Sequence, residues 1–205
     1  MSNIAFEAMK FARDAHSEQV RKYTGQPYAD HLAEVAGIVA SIHYADRGVM
    51  LMSIATAWLH DCVEDQGIDP AMLVDRFGVG VARGVVWLSD METGNRAERK
   101  AASRARLADA PAWVQTIKVA DLISNTSSIV KHDPKFALVY LKEKYMLLDV
   151  LTAADPGLML MARQQLHDSW RGLDAPVACM LPPEGWACTR NAGHDGPCAA
   201  IPAAS

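Results

Sequence analysis

Four polar side chains lie close together in the segment AWLHDCVEDQG: His60, Asp61, Glu64 and Asp65. Apolar residues around them recur at helical spacing, so we expect one helix over residues 49–65. The four residues form two pairs four positions apart, and both pairs therefore point to one side of that helix. Acids in a last helical turn oppose the helix dipole, and acids four positions apart repel each other. A divalent cation would reverse both effects, whereas the alternative is an ordinary solvated helix face.

Two further residues could complete a metal site. His31 stands at the start of an expected helix over 31–43, and Asp121 lies in the apolar segment QTIKVADLISN. An acid in such a segment is seldom buried unless it is paired. Taken singly, His31 could be an ordinary helix-start residue and Asp121 a partner for Lys118. Taken with the doublet at 60–61, two imidazoles and two carboxylates suit Mn²⁺, Fe²⁺ or Zn²⁺ better than Ca²⁺.

The elements that must position these residues are helical almost throughout. Apolar residues recur at helical spacing, and the sustained alternation typical of strands is essentially absent. We therefore predict an all-α, multi-helical domain over 1–173. Its helices are expected at 4–16, 31–43, 49–65, 70–77, 78–89, 96–109, 112–131, 134–152 and 156–172. Beyond it Pro, Gly and Cys dominate, which predicts a small, separately organised Cys/His tail over 174–205.

Composition narrows the classes of function. The 205 residues are 50% hydrophobic, which is enough for a sizeable core, and the net charge is −4 at pH 7. This charge argues against nucleic-acid binding through a broad basic face, although a few cations in one pocket could still bind a small anion. No apolar run approaches the ~20 residues of a membrane span, and the N-terminal segment lacks a signal-peptide pattern. We expect a cytoplasmic protein without nucleic-acid or membrane partners; a homo-oligomer is left open, without support from the sequence.

The tail contains a candidate structural zinc site. Its ligands would be Cys179, Cys188, His194 and Cys198. Three thiols and one imidazole, separated by loop-forming Gly and Pro, resemble a closed Cys₃His site, although the spacing is not that of a common zinc finger. A tail of roughly 20 residues needs such a staple to fold. The alternatives are a flexible tail with free thiols and a disulfide between Cys188 and Cys198, which the cytoplasm disfavours.

Three motifs, in order along the chain, resemble a known family. His31, the doublet at 60–61 and Asp121 match the His…His-Asp…Asp pattern of the HD-domain metal-dependent phosphohydrolases. The segments HSEQVRKYTGQPYADH, AWLHDCVED and IKVADLISN are similar to the ppGpp hydrolase domain of RelA/SpoT-type enzymes and of stand-alone small alarmone hydrolases. The similarity covers roughly residues 3–150. It implies an HD-domain fold and a nucleotide substrate.

The resemblance also implies roles for individual residues. The implied ligands of one Mn²⁺ are His31, His60, Asp61 and Asp121. The implied catalytic carboxylates, which act on the attacking water, are Glu64 and Asp65. The residues implied in nucleotide binding are Arg21, Lys22, Lys118, Asn125 and Tyr140. These roles agree with the chemistry, because a metal polarises a phosphoryl oxygen while a nearby carboxylate orients water and accepts its proton.

Two positions depart from the family pattern. RelA/SpoT-type enzymes usually follow the last ligand with Lys or Arg and place an Arg two residues beyond the Asn, but this chain has Leu122 and Ser127 there. Arg96, Arg99 or Lys100 in the insert GNRAERK could supply replacement cations, or the insert could be an exposed helix start.

The function that the resemblance implies is Mn²⁺-dependent removal of the 3′-pyrophosphate of (p)ppGpp by metal-activated water, an activity of the stringent response. One alternative, motivated by the missing cations, is an NADPH 2′-phosphatase or another nucleotide phosphohydrolase. A second alternative is a non-catalytic nucleotide-sensing or interaction module. A water-activating acid beside the metal ligands speaks against this second alternative, because binding alone does not need one.

Overall fold

Ten α-helices and one short β-ribbon make up the part of the chain that the computed structural model describes, namely residues 3–173, 186–188 and 200–202. The helices are α1 Ile4–Ala15, α2 Tyr28–Ala40, α3 Arg47–Leu59, α4 Cys62–Gln66, α5 Pro70–Phe77, α6 Val79–Leu88, α7 Arg96–Ala108, α8 Ala112–His132, α9 Pro134–Leu148 and α10 Pro156–Gly172. The all-α fold predicted for the main body is confirmed. None of the helices in the described ranges is long and apolar enough to span a bilayer.

The tail contributes only its two strands to this description. β1 (Trp186–Cys188) and β2 (Ala200–Pro202) pair antiparallel. The proposed zinc ligands Cys179, His194 and Cys198, and the side chain of Cys188, lie outside the described residues. The tail zinc and the domain division at residue 173 therefore stay predictions.

Capping residues explain where several helices begin. Asp133 accepts a hydrogen bond from the backbone N–H of the third residue of α9, and Asp155 does the same for α10. In both helices proline follows the cap, where its missing N–H costs no helical hydrogen bond. Asn95 and Glu98 form a reciprocal capping box at the start of α7. These caps position the insert beside α9.

The helix predicted over 49–65 is wrong in one respect: it is two helices, α3 and α4, joined at His60 and Asp61. The Ala57 carbonyl, which in a continuous helix would serve the Asp61 amide, accepts a hydrogen bond from Nδ1 of His60 at 2.8 Å. The Asp61 backbone, with ψ of −1°, departs from regular helix geometry. The break places Glu64 and Asp65 in the first turn of α4, where the helix dipole favours acids. The two acids are therefore not at the end of one long helix, and α4 itself, at five residues, is little more than one turn long.

The second helix begins one turn earlier than expected. Pro27 occupies the N-cap position of this helix, and the Tyr28 amide donates to the Gln19 carbonyl at 2.9 Å. Asp30, which precedes the expected start at residue 31, lies inside the first turn of the helix. This shift makes Tyr28 part of the helix that carries His31.

Helix α8 is the central element and packs against α2, α3, α6, α9 and α10. Ile117, Val119 and Ala120 on this helix are fully buried, and Asp121 beside them is only 6% exposed. On the adjoining α6, a Cβ added at Gly84 would collide with Trp113 of α8 and Thr56 of α3, so the three helices meet closely there. The rigid packing around α8 positions the polar side chains described next.

Candidate metal centre and substrate cleft

Four side chains from three parts of the fold converge beside α8. His31 comes from α2, His60 and Asp61 from the junction of α3 and α4, and Asp121 from α8. Nε2 of His60 lies 3.0 Å from Oδ2 of Asp61 and 3.8 Å from Oδ1 of Asp121. Nε2 of His31 lies 3.7 Å and 3.3 Å from the same two oxygens. The four residues that the motif singles out are therefore brought together by the fold.

Hydrogen bonds orient both imidazole rings. A carbonyl oxygen can only accept, so Nδ1 of His60 donates to Ala57. Ser124 donates its hydroxyl proton to Oε2 of Glu34 at 2.5 Å, and its oxygen accepts from Nδ1 of His31 at 2.8 Å. In each neutral ring the lone pair is then on Nε2, which faces the carboxylates. Such outer contacts are how proteins fix the tautomer of a metal-binding histidine.

The two Nε2 atoms are buried and lack a hydrogen-bond partner of acceptable geometry. One ligand atom each from His31, His60 and Asp121 can be chosen so that all lie within 4.8 Å of one another. Two nitrogen donors and one oxygen donor around this buried point, with Oδ2 of Asp61 3.0 and 3.7 Å from the nitrogens, fit a divalent transition metal such as Mn²⁺ or Zn²⁺. Orphaned polar atoms inside a protein are costly, and a cation between them would satisfy both nitrogens.

The electrostatic field of the centre favours a cation. Burial alone would lower the pKa of His60, but the charges of Asp61 and Asp121 raise it to about 9. Burial would likewise raise the pKa of Asp61, but His60 holds it at about 2. The pKa of Asp121 is held well below its usual range, against burial, by Lys118 and by His31. Both carboxylates are thus ionised near neutral pH, and a cation there would compete with the proton on His60.

Tyr28 is a site residue that the motif did not identify. Its hydroxyl donates to Oδ2 of Asp61 at 2.6 Å, and its ring stacks on His16 and meets His31 edge to face. Burial and the neighbouring Asp61 raise the pKa of Tyr28 well above its usual value, so it stays a donor. Its place within QPYADH, one turn before His31, is the sequence signal that could have found it.

The two expected catalytic carboxylates have different surroundings. Oε2 of Glu64 accepts a hydrogen bond from the backbone N–H of Asp90 at 2.8 Å. The pKa of Glu64 is raised, chiefly because its carboxyl is partly removed from water. Oδ2 of Asp65 instead accepts from the side chain of Gln19 at 2.8 Å, in an exposed position. The charges of Asp61 and Lys118 also act on the pKa of Glu64: Asp61 raises it and Lys118 lowers it.

The residues expected to bind the nucleotide are only partly gathered at the centre. Asn125 donates to Oδ1 of Asp121 at 2.6 Å and accepts from Arg21 at 3.2 Å. Lys118 donates to the other oxygen of Asp121 at 2.9 Å. Lys22 is exposed, with its ammonium 5.0 Å from the centre of the Tyr23 ring, and the structure does not bring it to the centre.

A cleft of about 170 Å³ opens beside Asp121, which lines it. Asp121, Asn125 and Lys118 form one part of its wall, and Tyr140 and Lys144 of α9 form another. Arg96 and Lys100 of the insert line the cleft, and so does Arg104, which lies further along the same helix. Arg99 instead donates to the Gly94 carbonyl. The insert thus places cations at the cleft that carries Asp121.

Arg96 and Lys100 are already paired with carboxylates. Arg96 donates from Nε and Nη2 to the two carboxylate oxygens of Glu143 at 2.6 and 2.7 Å. Lys100 donates to Asp90 at 2.8 Å. The charges of these two insert cations are therefore largely neutralised. Lys144, which also lines the cleft, was not among the residues predicted from the sequence.

Comparison with known proteins agrees with this geometry. A family model described as "HD domain" matches residues 8–121, which include the four clustered side chains. A solved structure described as a metazoan ortholog of SpoT that hydrolyzes ppGpp superposes with a TM-score of 0.72 at 26% identity, covering 84% of this chain and 98% of that one. A structure from Listeria monocytogenes EGD-e, 21% identical with a TM-score of 0.57 over 73% of this chain and 99% of that one, supports the fold alone.

Curated relatives are similar over part of their length. The guanosine-3′,5′-bis(diphosphate) 3′-pyrophosphohydrolase of Haemophilus influenzae is 38% identical over 81 residues, covering 40% of this chain and 11% of the relative. A probable enzyme of the same name from Synechocystis is 32% identical over 134 residues, covering 62% of this chain and 17% of the relative. The chain thus spans less than a fifth of the length of either.

Proposed function

The chain belongs to the HD-domain family, and from this premise we propose that it removes the 3′-pyrophosphate of (p)ppGpp by hydrolysis. The observation that carries the proposal is the pair of buried Nε2 atoms of His31 and His60, aimed at the carboxylates of Asp61 and Asp121 next to a basic cleft. Relatives named for this reaction and the similar ppGpp-hydrolysing structure support the choice of substrate.

The four clustered residues would hold the divalent ion, which we propose to be Mn²⁺. Such an ion, when bound, lowers the pKa of water and polarises a phosphoryl oxygen. The role of Tyr28 and Ser124 is to keep Asp61 and His31 oriented towards the same point. The rest of the chemistry is supplied by side chains around the cleft.

Glu64 is the proposed acceptor of the proton from the attacking water. The Asp90 amide holds Oε2 of Glu64, which fixes the carboxyl beside the chain that follows α6 and leaves Oε1 as a further acceptor. Its raised pKa, with partial burial as the main cause, brings its basicity closer to neutral pH. Asp65 is proposed to assist from its hydrogen bond with Gln19.

In the proposed reaction the water oxygen forms a bond to the phosphorus next to the ribose, and the bond between that phosphorus and the 3′ oxygen breaks. The ribose 3′ oxygen takes a proton, and the products are a nucleoside diphosphate or triphosphate and pyrophosphate. Arg21, Asn125, Lys118 and Tyr140 are proposed to position the nucleotide through charge-assisted and neutral hydrogen bonds. Lys22 is exposed and would reach only a part of the substrate outside the cleft.

A second candidate substrate is NADPH, from which the same centre would remove the 2′-phosphate. Leu122 and Ser127 stand where the RelA/SpoT-type enzymes usually carry cations, and this difference favours testing other nucleotides.

The test is product identification with a panel of nucleotides and the purified chain in Mn²⁺. Release of pyrophosphate from ppGpp is expected, and Asp61→Ala should abolish it, whereas Asp75→Ala, at an exposed acid of α5, should not. Orthophosphate from NADPH with intact ppGpp would favour the second substrate. Tight ppGpp binding without turnover would instead support a nucleotide-sensing module.

A further inference from the structure

Lys144 is a buried lysine at the cleft that the proposed reaction has not used. Its side chain is 1% exposed, and its ammonium donates to Oγ1 of Thr126 at 2.7 Å and to Oε1 of Gln165 at 3.0 Å. Both acceptors are neutral. No carboxylate in the described part of the chain forms an ion pair with Lys144, and burial lowers its pKa to about 7.

A buried ammonium without a countercharge is unfavourable in the free protein. Lysine is seldom fully buried unless it is paired, because a charge loses its hydration in the interior. Arg96 and Lys100, which line the same cleft, have their own carboxylates in Glu143 and Asp90. Arg104 also lines the cleft but is less buried, so Lys144 is, among the described residues, the fully buried cleft cation that lacks an ion pair and would gain from an anionic ligand.

The hydrogen bonds of Lys144 leave room for such a ligand. An ammonium group has three N–H donors, and Thr126 and Gln165 accept from two of them. Lys144 lines the cleft together with Asp121, Asn125 and Tyr140. Thr126 donates its own proton to the Leu122 carbonyl at 2.6 Å, so it is an acceptor towards both Lys144 and the Tyr140 hydroxyl, which lies 3.1 Å away.

Lys144 lies on α9 and contacts α8 beyond the position of Asp121. Its partner Thr126 follows Asp121 by five residues, which corresponds to a rise of about 7.5 Å along the helix. The charge of Asp121 still raises the pKa of Lys144, and both residues line the same cleft, within the span of one nucleotide with several phosphate groups. The spacing fits a second phosphate group on the same nucleotide.

We propose that Lys144, held in place by Thr126 and Gln165, binds a phosphate group of the nucleotide other than the group that is cleaved. It compensates for the apolar and neutral residues at Leu122 and Ser127, where related enzymes carry cations. The identity of the nucleotide rests on the proposed function, whereas the anion subsite itself does not.

The first test measures kinetics of ppGpp hydrolysis in Lys144→Met, with Lys142→Met as a control at an exposed lysine of the same helix. A lost charge-assisted contact should raise KM about 10- to 100-fold. Because the contact is made away from the reacting phosphorus, kcat should change by less than about threefold. Equal KM values in the two variants would overturn the proposal, as would a loss confined to kcat.

The second test uses inorganic phosphate as the probe and needs no turnover. The melting temperature of the full chain is followed with increasing phosphate at constant ionic strength, with a chelator present to remove divalent ions. Phosphate should raise the melting temperature of the unmodified chain and of Lys142→Met, and should raise that of Lys144→Met much less. An equal rise in all three proteins would mean that phosphate binds elsewhere and would overturn the subsite.

The two tests separate the two proposals. If the unmodified chain does not hydrolyse ppGpp but Lys144→Met loses the phosphate response, the substrate is wrong and the subsite stands. If ppGpp is hydrolysed and neither KM nor the phosphate response depends on Lys144, the function stands and the subsite is wrong. Lys144→Gln, which keeps a donor without the charge, replaces the methionine variant if that variant does not fold.

Discussion

Replacing Lys144 with methionine should make the protein more stable at low pH, and the size of the effect should depend on pH. Methionine keeps an unbranched side chain of similar length in a site that is 1% exposed, and it removes the buried charge. Replacement of a buried charge by a well-packed apolar group is often neutral or stabilising. If Lys144 instead stabilised the fold, its replacement with methionine would lower the free energy of unfolding.

The magnitude follows from the pKa of Lys144, which is about 7 in the folded chain against an ordinary value of 10.5. Between these two values the unfolded chain binds more protons than the folded one, so the free energy of unfolding of the unmodified protein rises with pH. The whole difference is worth about 5 kcal/mol, of which about 2 to 3 kcal/mol falls between pH 6 and pH 9. Methionine does not titrate, so the variant lacks this contribution.

The assay is urea unfolding followed by far-UV circular dichroism at pH 6, 7, 8 and 9, without phosphate and with a chelator. Subtracting the free energy of unfolding of Lys144→Met from that of the unmodified chain cancels the other titrating groups. The free energy of unfolding of the unmodified chain minus that of the variant should increase by about 2 to 3 kcal/mol from pH 6 to pH 9. Lys142→Met should run parallel to the unmodified protein.

Parallel pH profiles for the unmodified chain and Lys144→Met would refute the reasoning, because they would mean that Lys144 keeps its ordinary pKa when folded. Gln165 loses the donor to its Oε1 atom, which can shift the variant by about 1 kcal/mol, but that shift does not depend on pH. Added phosphate should flatten the profile of the unmodified protein, since an anion at the subsite stabilises the charged lysine.

Three further predictions test the centre and its scaffold. Glu64→Gln should lower kcat for ppGpp by about 10²- to 10⁴-fold, with Mn²⁺ affinity by titration nearly unchanged; a matching loss of metal binding would assign Glu64 to the ligands instead. Tyr28→Phe removes the hydroxyl that orients Asp61 and should weaken Mn²⁺ binding about 10-fold or more in the same titration, so an unchanged affinity would contradict its role. Gly84→Ala should lower the free energy of unfolding in urea by about 1 to 3 kcal/mol, because the methyl group collides with Trp113 and Thr56; a neutral result would mean that the helices separate without cost.

The clustering of the four proposed metal ligands could be predicted because their types and order are visible in the sequence. His31, His60, Asp61 and Asp121 are rare residue types for apolar helical segments, and their distances in the fold make them neighbours. The helical spacing of apolar residues likewise predicted an all-α main body. The helical spacing is a local signal, whereas the order of the four site residues runs from 31 to 121, but both can be read without knowing how the helices pack.

The features that the sequence did not predict arise from contacts between helices or between a side chain and the backbone. The break between α3 and α4 accompanies the bond from His60 to the Ala57 carbonyl, which helical periodicity does not reveal. Lys144 has the pattern of a surface lysine, and its burial follows from the packing of α9 against α8 and α10. Lys22, by contrast, adjoins Arg21 in the sequence, yet in the structure only Arg21 contacts Asn125.

Hydrolysis of ppGpp in water enriched in ¹⁸O tests the central proposal most directly. With Mn²⁺ present, mass spectrometry should find equal amounts of GDP and pyrophosphate, with one labelled oxygen per molecule in the pyrophosphate and none in the GDP. Asp61→Ala should give neither product. Orthophosphate as the labelled product, or intact ppGpp at high enzyme and metal concentration, would contradict the proposed reaction.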